Sequence, residues 1–221
     1  MHYGPTRETL PANVRAAVVQ PTIWPQCNYG QTIKANMSKY RVFRDEDYAY
    51  FVTCTVVNWL AVFTVDVYCQ IIMESLSYLR THKKTQLNAY VLMPTHLHAV
   101  LWPDQGISLS DILRDFKRFT SRAITEEAKR RGDDSFLQVF ADVRQQGRAQ
   151  DVSTYQVWQE GSHPEAIYTE KFAAQKIGYI HANPVRAGLV TTPDGWKYSS
   201  AKTYLLGEES SPPVDIIGYS G

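Results

Sequence analysis

From residue 48 onward, apolar positions fall into alternating strand-like and helix-like stretches. Residues 48–59, YAYFVTCTVVNW, are rich in β-branched and aromatic side chains and predict a strand. Residues 66–83 predict a helix, with Val67, Ile71, Leu76 and Tyr78–Leu79 forming a broad apolar face. The run 87–102, LNAYVLMPTHLHAVLW, is strand-like on both sides of Pro94. Proline removes a ladder donor, so Pro94–Thr95 marks the turn between two strands. Residues 109–131 are the clearest helix: Ser108 caps it, Asp111 follows three residues later, and Gly132 lies just past its end. Its expected core positions are Ile112, Phe116, Phe119 and Ala123. Residues 144–154 are polar and predict a loop, and 154–158 (TYQVW) a short strand. A last helix starts near Glu170 behind a Thr169 cap and reaches His181 or Ala182, where Pro184 stops it. This order predicts an α+β fold: a ferredoxin-like antiparallel sheet with helices on one face, plus a C-terminal helix.

Residues 1–36 lack either periodicity and contain Pro5, Pro11, Pro21 and Pro25. They read as a disordered extension, with Met37 an alternative start to Met1. The expected organisation is therefore 1–36 extension, 37–205 folded domain and 206–221 tail. The chain has 23 Lys+Arg and 22 Asp+Glu. Arg7, Arg15 and Lys34 against Glu8 leave the remainder slightly acidic. Bulk charge therefore does not direct the chain to nucleic acid, and any such site must be a local patch. Three cysteines, Cys27, Cys54 and Cys69, build neither a disulfide framework nor a C-x-x-C motif. With no run of about 18 apolar residues and no apolar signal segment, the expectation is a cytoplasmic protein with no membrane association.

Three clusters can carry chemistry. On a strand, His96 and His98 point to one face and Leu97 to the other, so two imidazoles can share one divalent cation. Two half-exposed sheet histidines would give the same pattern. On the last helix Tyr179 and Asn183 are one turn apart. Tyr179 lies roughly 120° from the centre of the Ala173/Ile177/Ile180 stripe, by the 100° per residue of an α-helix. A phenol can be a covalent nucleophile and an amide oxygen a metal ligand. Equally, Tyr179 could cover the sheet and Asn183 end the helix. Third, Arg114, Lys117, Arg118 and Arg122 share one helix face and could neutralise phosphates, although Asp111, Asp115, Glu126 and Glu127 are interspersed. His82, His163 and His181 have no partner identifiable from sequence.

Taken together, MPTHLH (93–98), FKRFTSR (116–122), VWQEGSHPE (157–165), YIHANPVRAGLV (179–190) and WKYSS (196–200) resemble the single-tyrosine HUH transposases, above all the REP-associated tyrosine transposases. The likeness spans about residues 37–205. It implies that His96, His98 and Asn183 bind Mg²⁺ or Mn²⁺, and that Tyr179 is the nucleophile. Two imidazoles shift the metal preference towards Mn²⁺. It further implies cleavage and rejoining of single-stranded hairpin DNA through a 5′-phosphotyrosine link, by a monomer or a homodimer. Lys117, Arg118 and Arg122 are the expected DNA-backbone contacts. The family usually has Asn where Thr95 and Ala182 stand, and neither position is a required ligand. Tyr155, four residues before Gln159, is a rival nucleophile on a strand-like run. Two other classes compete: a domesticated, catalytically idle hairpin-DNA binder, and an RNA-binding sheet presenting Tyr48, Tyr50 or Phe51.

Overall fold

The computed structural model describes residues 48–146, 154–161 and 164–217. The expected extension at 1–36, the Met37 start, Cys27 and His163 lie outside these residues. Strand β1 (Ala49–Thr55) leads to helix α1 (Asp66–His82), then to the hairpin β2 (Thr85–Met93) and β3 (His96–Pro103). Helices α2 (Leu109–Arg131) and α3 (Asp134–Gln146) follow, then β4 (Glu165–Ile167), α4 (Glu170–Arg186) and α5 (Ala201–Leu206). The four strands are ordered β2-β3-β1-β4 and all neighbours are antiparallel. That is the ferredoxin-like order, with β1 inserted between strands that come later in the chain.

The expected α+β class and antiparallel sheet are present, with α1, α2 and α3 on one face and the C-terminal α4 on the other. Several details differ. On one side, Val52, Cys54, Leu97 and Leu101 meet α1, α2 and Phe140 of α3. On the other, Val91, Val100 and Trp102 meet Ala173, Ile177 and Ile180 of α4. The second face is closed further by Tyr204 of α5 and by Ile217. Tyr50 packs with the first cluster and Phe51 with the second, so no open face remains for the RNA-binding alternative. The predicted strand at 154–158 makes only one bridge, Trp158 to Val56. The edge of β1 is occupied instead by β4, a three-residue strand with Glu165 exposed, too short to show alternation. Helix α3 has Phe140 as its one fully buried side chain, so its pattern in sequence is faint.

Helix α2 matches its predicted ends: Ser108 accepts from the Asp111 backbone N–H, and Gly132 adopts φ 74°. Its buried stripe is Ile112, Phe116, Thr120, Ile124 and Ala128. Phe119 is 64% exposed and Ala123 only half-buried, correcting both expected core positions. The i, i+4 row is anchored by Thr120, whose hydroxyl accepts from the Trp158 indole N–H at 2.9 Å. Phe116→Ala is expected to cost about 3–4 kcal/mol, and Phe119→Ala within about 0.5, measured by urea denaturation. Equal costs for the two would contradict this stripe.

Helix α4 continues through Pro184 to Arg186, four or five residues beyond the predicted stop at His181 or Ala182. A proline in the last turn removes one helical bond there, and Pro184 is nevertheless buried within the helix, with Ala187 donating to the Asn183 carbonyl after it. Its neighbour His181 is fully buried, with Nε2 2.8 Å from Ser200 Oγ, and burial pushes its pKa down to about 3. In the unfolded chain the same ring titrates near its ordinary value of about 6.5. Below that pH the unfolded state takes up a proton that the folded state refuses, so stability falls as pH drops towards 3. The expected loss from this residue between pH 6.5 and pH 4 is on the order of 3 kcal/mol. Thermal melts should therefore decline less steeply over that range in His181→Gln than in the parent.

The outer edge of β2 is also sealed. Tyr198 and Tyr90 carbonyls accept from Leu92 and Ser200, and the Leu87 carbonyl accepts from Asp215. Arg80 donates to both Asp215 carboxylate oxygens, at 3.0 and 2.8 Å. Cys54 and Cys69 are buried free thiols. Among the described residues, no single helix is long and apolar enough to cross a membrane.

Candidate functional site

β3 pairs with β1 so that Thr53 stands opposite His98 and Thr55 opposite His96. Alternation then sends His96 and His98 to the face covered by α4. The two imidazoles are 4.6 Å apart between ring centres. Thr53 Oγ1 lies 2.8 Å from His98 Nδ1, and Thr95 Oγ1 2.9 Å from His96 Nδ1. Among the described residues neither Nε2 has a hydrogen-bond partner. Burial pushes His96 down to a pKa of about 4. It pushes His98 to about 3, with the His96 and Lys176 charges adding to the effect. Both rings are thus neutral at physiological pH, and each has its Nδ1 within hydrogen-bond distance of a threonine hydroxyl. A ring oriented in this way is the form of histidine that ligates metals.

Helix α4 brings Tyr179 to the same place. Its ring is 5.4 Å from that of His98 and 6.0 Å from that of Phe51, which itself stacks on His98 at 5.2 Å. The Tyr179 hydroxyl makes no hydrogen bond among the described residues, and the ring is half-buried. Lys176 lies 4.7 Å over Phe51, one turn before Tyr179. Phe51 pairs with Val100, so successive turns of α4 travel along β3 from Val100 to His98. Asn183 stands one turn further along the same helix. The Asn183 side-chain amide is buried and unpartnered at Nδ2. Arg186, seven residues from Tyr179, sets its guanidinium 5.3 Å from the Tyr179 ring centre.

The donor set suits a hard divalent cation only in part by itself. Among the described residues, no three His, Cys, Asp or Glu side chains cluster as a metal site. The side chain nearest in kind to a further neutral donor on α4 is Asn183, whose amide nitrogen is buried without a hydrogen-bond partner. Swapping its O and N by a half-turn of χ2 aims the oxygen where the nitrogen now lies. Two imidazoles and an amide are all neutral, which leaves a cation's charge to be met by an anionic ligand such as a phosphodiester.

The remaining sequence-based candidates lie on the opposite face. Arg114, Lys117, Arg118, Arg122 and Arg144 line an open cleft of about 870 Å³ between α2 and residues 155–161. Within it, Lys117 Nζ donates to the Gln159 and Gly161 carbonyls, holding the loop beside β1. Arg122 pairs with Glu126 at 2.8 Å on the exposed helix face. Arg118 makes no ion pair among the described residues. Tyr155 lines the same cleft under Lys129, whose ammonium is 4.8 Å from its ring centre. It belongs to the cluster under α2, across the sheet from both histidines. His82 stacks on Tyr78 at 4.5 Å, away from either site.

A search of solved structures gives the REP-associated tyrosine transposase bound to a REP hairpin, at TM-score 0.53 and 20% identity. The match covers 83% of this chain and 93% of that one. The chain has that transposase's fold. A Deinococcus radiodurans R1 protein described as a transposase candidate matches at TM-score 0.40 and 17% identity, over 65% of this chain and 95% of its own. No family model and no curated protein matches the sequence.

Four neighbours of the site were not legible in the sequence: Thr53, Phe51, Arg186 and Trp59, whose ring is 5.7 Å from that of His96. The first two depend on the β1–β3 register, which no local pattern specifies. Arg186 falls on the Tyr179 face by i, i+7 spacing, a signal hidden by ending the helix before Pro184.

Proposed function

We propose that the chain is a single-tyrosine DNA strand transferase that cleaves and rejoins single-stranded DNA beside a hairpin. The observation that carries this is the placement of Tyr179 against His98 of its own chain, 5.4 Å between rings. The shared fold with a hairpin-bound tyrosine transposase supports the choice of substrate.

In this reading the Tyr179 oxygen attacks a backbone phosphorus in line. The phosphorus–O3′ bond breaks, the 3′ oxygen leaves as a hydroxyl, and the phenolic proton passes to solvent. One phosphodiester is exchanged for a phosphotyrosine, so attack by a 3′-hydroxyl reverses the step with no external energy source. His96, His98 and Asn183 would hold Mg²⁺ or Mn²⁺, which supplies Lewis-acid charge at the scissile phosphate. Phe51, stacked on His98, and the Thr53 hydroxyl keep that imidazole in one orientation. Arg186 adds positive charge on the outer side of the nucleophile. Because nucleophile and histidines belong to one chain, a monomer suffices. Arg118 and Arg122 offer charge to the hairpin stem across the sheet, which makes affinity fall with added salt.

The test uses hairpin oligonucleotides from DNA flanking the gene, labelled at either end, with Mn²⁺ or EDTA. A protein–DNA band surviving denaturation, dependent on Mn²⁺ and carrying the 3′ label, is the expected result. A mobility shift with no such band would favour the idle hairpin binder instead.

A further inference from the structure

The segment joining β1 to α1 holds Trp59 in an unusual setting. Trp59 is 60% exposed, although tryptophan is the largest apolar side chain the protein has. Its ring sits edge-on to His96, 5.7 Å between centres. Both Asn58 and Trp59 adopt left-handed backbone, φ 53° and 54°. Asparagine tolerates that region, whereas a bulky side chain does so only under constraint from its surroundings. The constraint is visible. Val56 and Phe63 donate to the Thr95 and Pro94 carbonyls of the β2–β3 turn, and Val57 donates to the Val157 carbonyl. The segment is thus clamped to the turn that immediately precedes His96.

Other exposed large apolar residues, Tyr78, Phe119, Tyr168, Leu189 and Leu206, are not in ring contact with the histidine pair. In the chain, Trp59 is preceded by the exposed polar Asn58 and followed by the half-buried Leu60 and Ala61, so the exposed apolar surface of this segment is mainly the one indole. A protein partner would want a contiguous apolar patch. A single flat ring, 60% exposed on a segment whose backbone is clamped, suits one flat ligand group.

We infer that Trp59 is a stacking platform for one unpaired base of the DNA strand at the His96/His98 site. This deepens the proposed function and rests on it for the identity of the strand. A base in a duplex is stacked on both faces by its neighbours, whereas an unpaired base has a face to give. The platform would therefore select single-stranded over paired DNA next to the scissile phosphate. Stacking is tolerant of base identity, so the contact selects strandedness rather than sequence.

The test is equilibrium binding of labelled oligothymidylate to the full chain in EDTA, with Trp59→Ala and Trp59→Phe compared with the parent. Trp59→Ala is expected to weaken binding about tenfold, and Trp59→Phe by less than about threefold, since a smaller ring still stacks. Thymidylate should also quench parental tryptophan fluorescence, and that quenching should vanish in Trp59→Phe. An abasic scan of the oligonucleotide adds a second readout. One abasic position should weaken parental binding and have no effect in Trp59→Ala. Unchanged affinity in Trp59→Ala with its melting temperature intact would overturn the inference. So would failure of the parent to bind oligothymidylate. Covalent adduct formation with Mn²⁺ is scored separately. Loss of thymidylate binding in Trp59→Ala, without any adduct in the parent, upholds the platform and sinks the transferase reading.

Discussion

Tyr179→Phe is expected to abolish the protein–DNA adduct, by at least about a thousandfold, while binding hairpin DNA within about twofold of the parent. The change removes one oxygen and keeps the ring. That ring packs edge-on to both Phe51 and His98, and those contacts need no hydroxyl. The hydroxyl itself has no hydrogen-bond partner among the described residues, so its loss strands no buried group. Stability should consequently move by less than about 0.5 kcal/mol. An adduct formed by Tyr179→Phe would transfer the nucleophile's role elsewhere, with Tyr155 the first alternative. The structure makes that alternative demanding, since Tyr155 lies under Lys129 on the other side of the sheet.

The second large effect is on His98. His98→Gln should reduce Mn²⁺-stimulated adduct formation by more than about a hundredfold and weaken Mn²⁺ binding measured calorimetrically without DNA. Glutamine is close in length and can still meet Thr53, so the site is not left with a large void. His98 is 6% exposed and stacked by Phe51, and alanine would confound loss of a ligand with a cavity. Hairpin affinity in EDTA should be unchanged, because His98 contributes a lone pair rather than a charge to the site. If His98→Gln formed the adduct at the parental rate with Mn²⁺, the two histidines would have to be assigned a structural role. Measuring Mn²⁺ binding without DNA matters because the protein donors are neutral, so a weak constant is expected and only the difference between variants is informative.

Much of the fold could be read from local patterns where those patterns had a strong cause. The α2 boundaries follow from Ser108 and Gly132, and the β2–β3 turn from Pro94. Strands flanked by turn residues needed no tertiary information. What failed was decided by partners distant in sequence. Whether TYQVW or EAI lies on the β1 edge depends on which segment reaches residues 49–51, and the short EAI run has almost no pattern of its own. The α2 stripe was displaced because Phe119 looks more like a core residue than Thr120. Thr120 nevertheless faces inward, where its hydroxyl serves both the Phe116 carbonyl and the Trp158 indole. For the site, spacing alone placed His96 beside His98 and Asn183 one turn after Tyr179. It did not join the two pairs. That juxtaposition arises because α4 crosses the face to which β3 turns its even-numbered residues, a fact of layer packing.

The strand order also has a consequence for how the chain is made. β1 is an inner strand, yet it emerges from the ribosome before either neighbour. Tyr50 waits for Leu101 and Ala49 for Ile167, while the β2 edge waits for Ser199 and Asp215. Only the β2–β3 hairpin can pair with what immediately precedes it. Until α4 is translated the nascent sheet lacks cover on one apolar face, and until Asp215 emerges its β2 edge is unsealed. Such long-range closure slows folding and exposes sticky intermediates, so folding yield should respond to translation speed and chaperone supply more than native stability does.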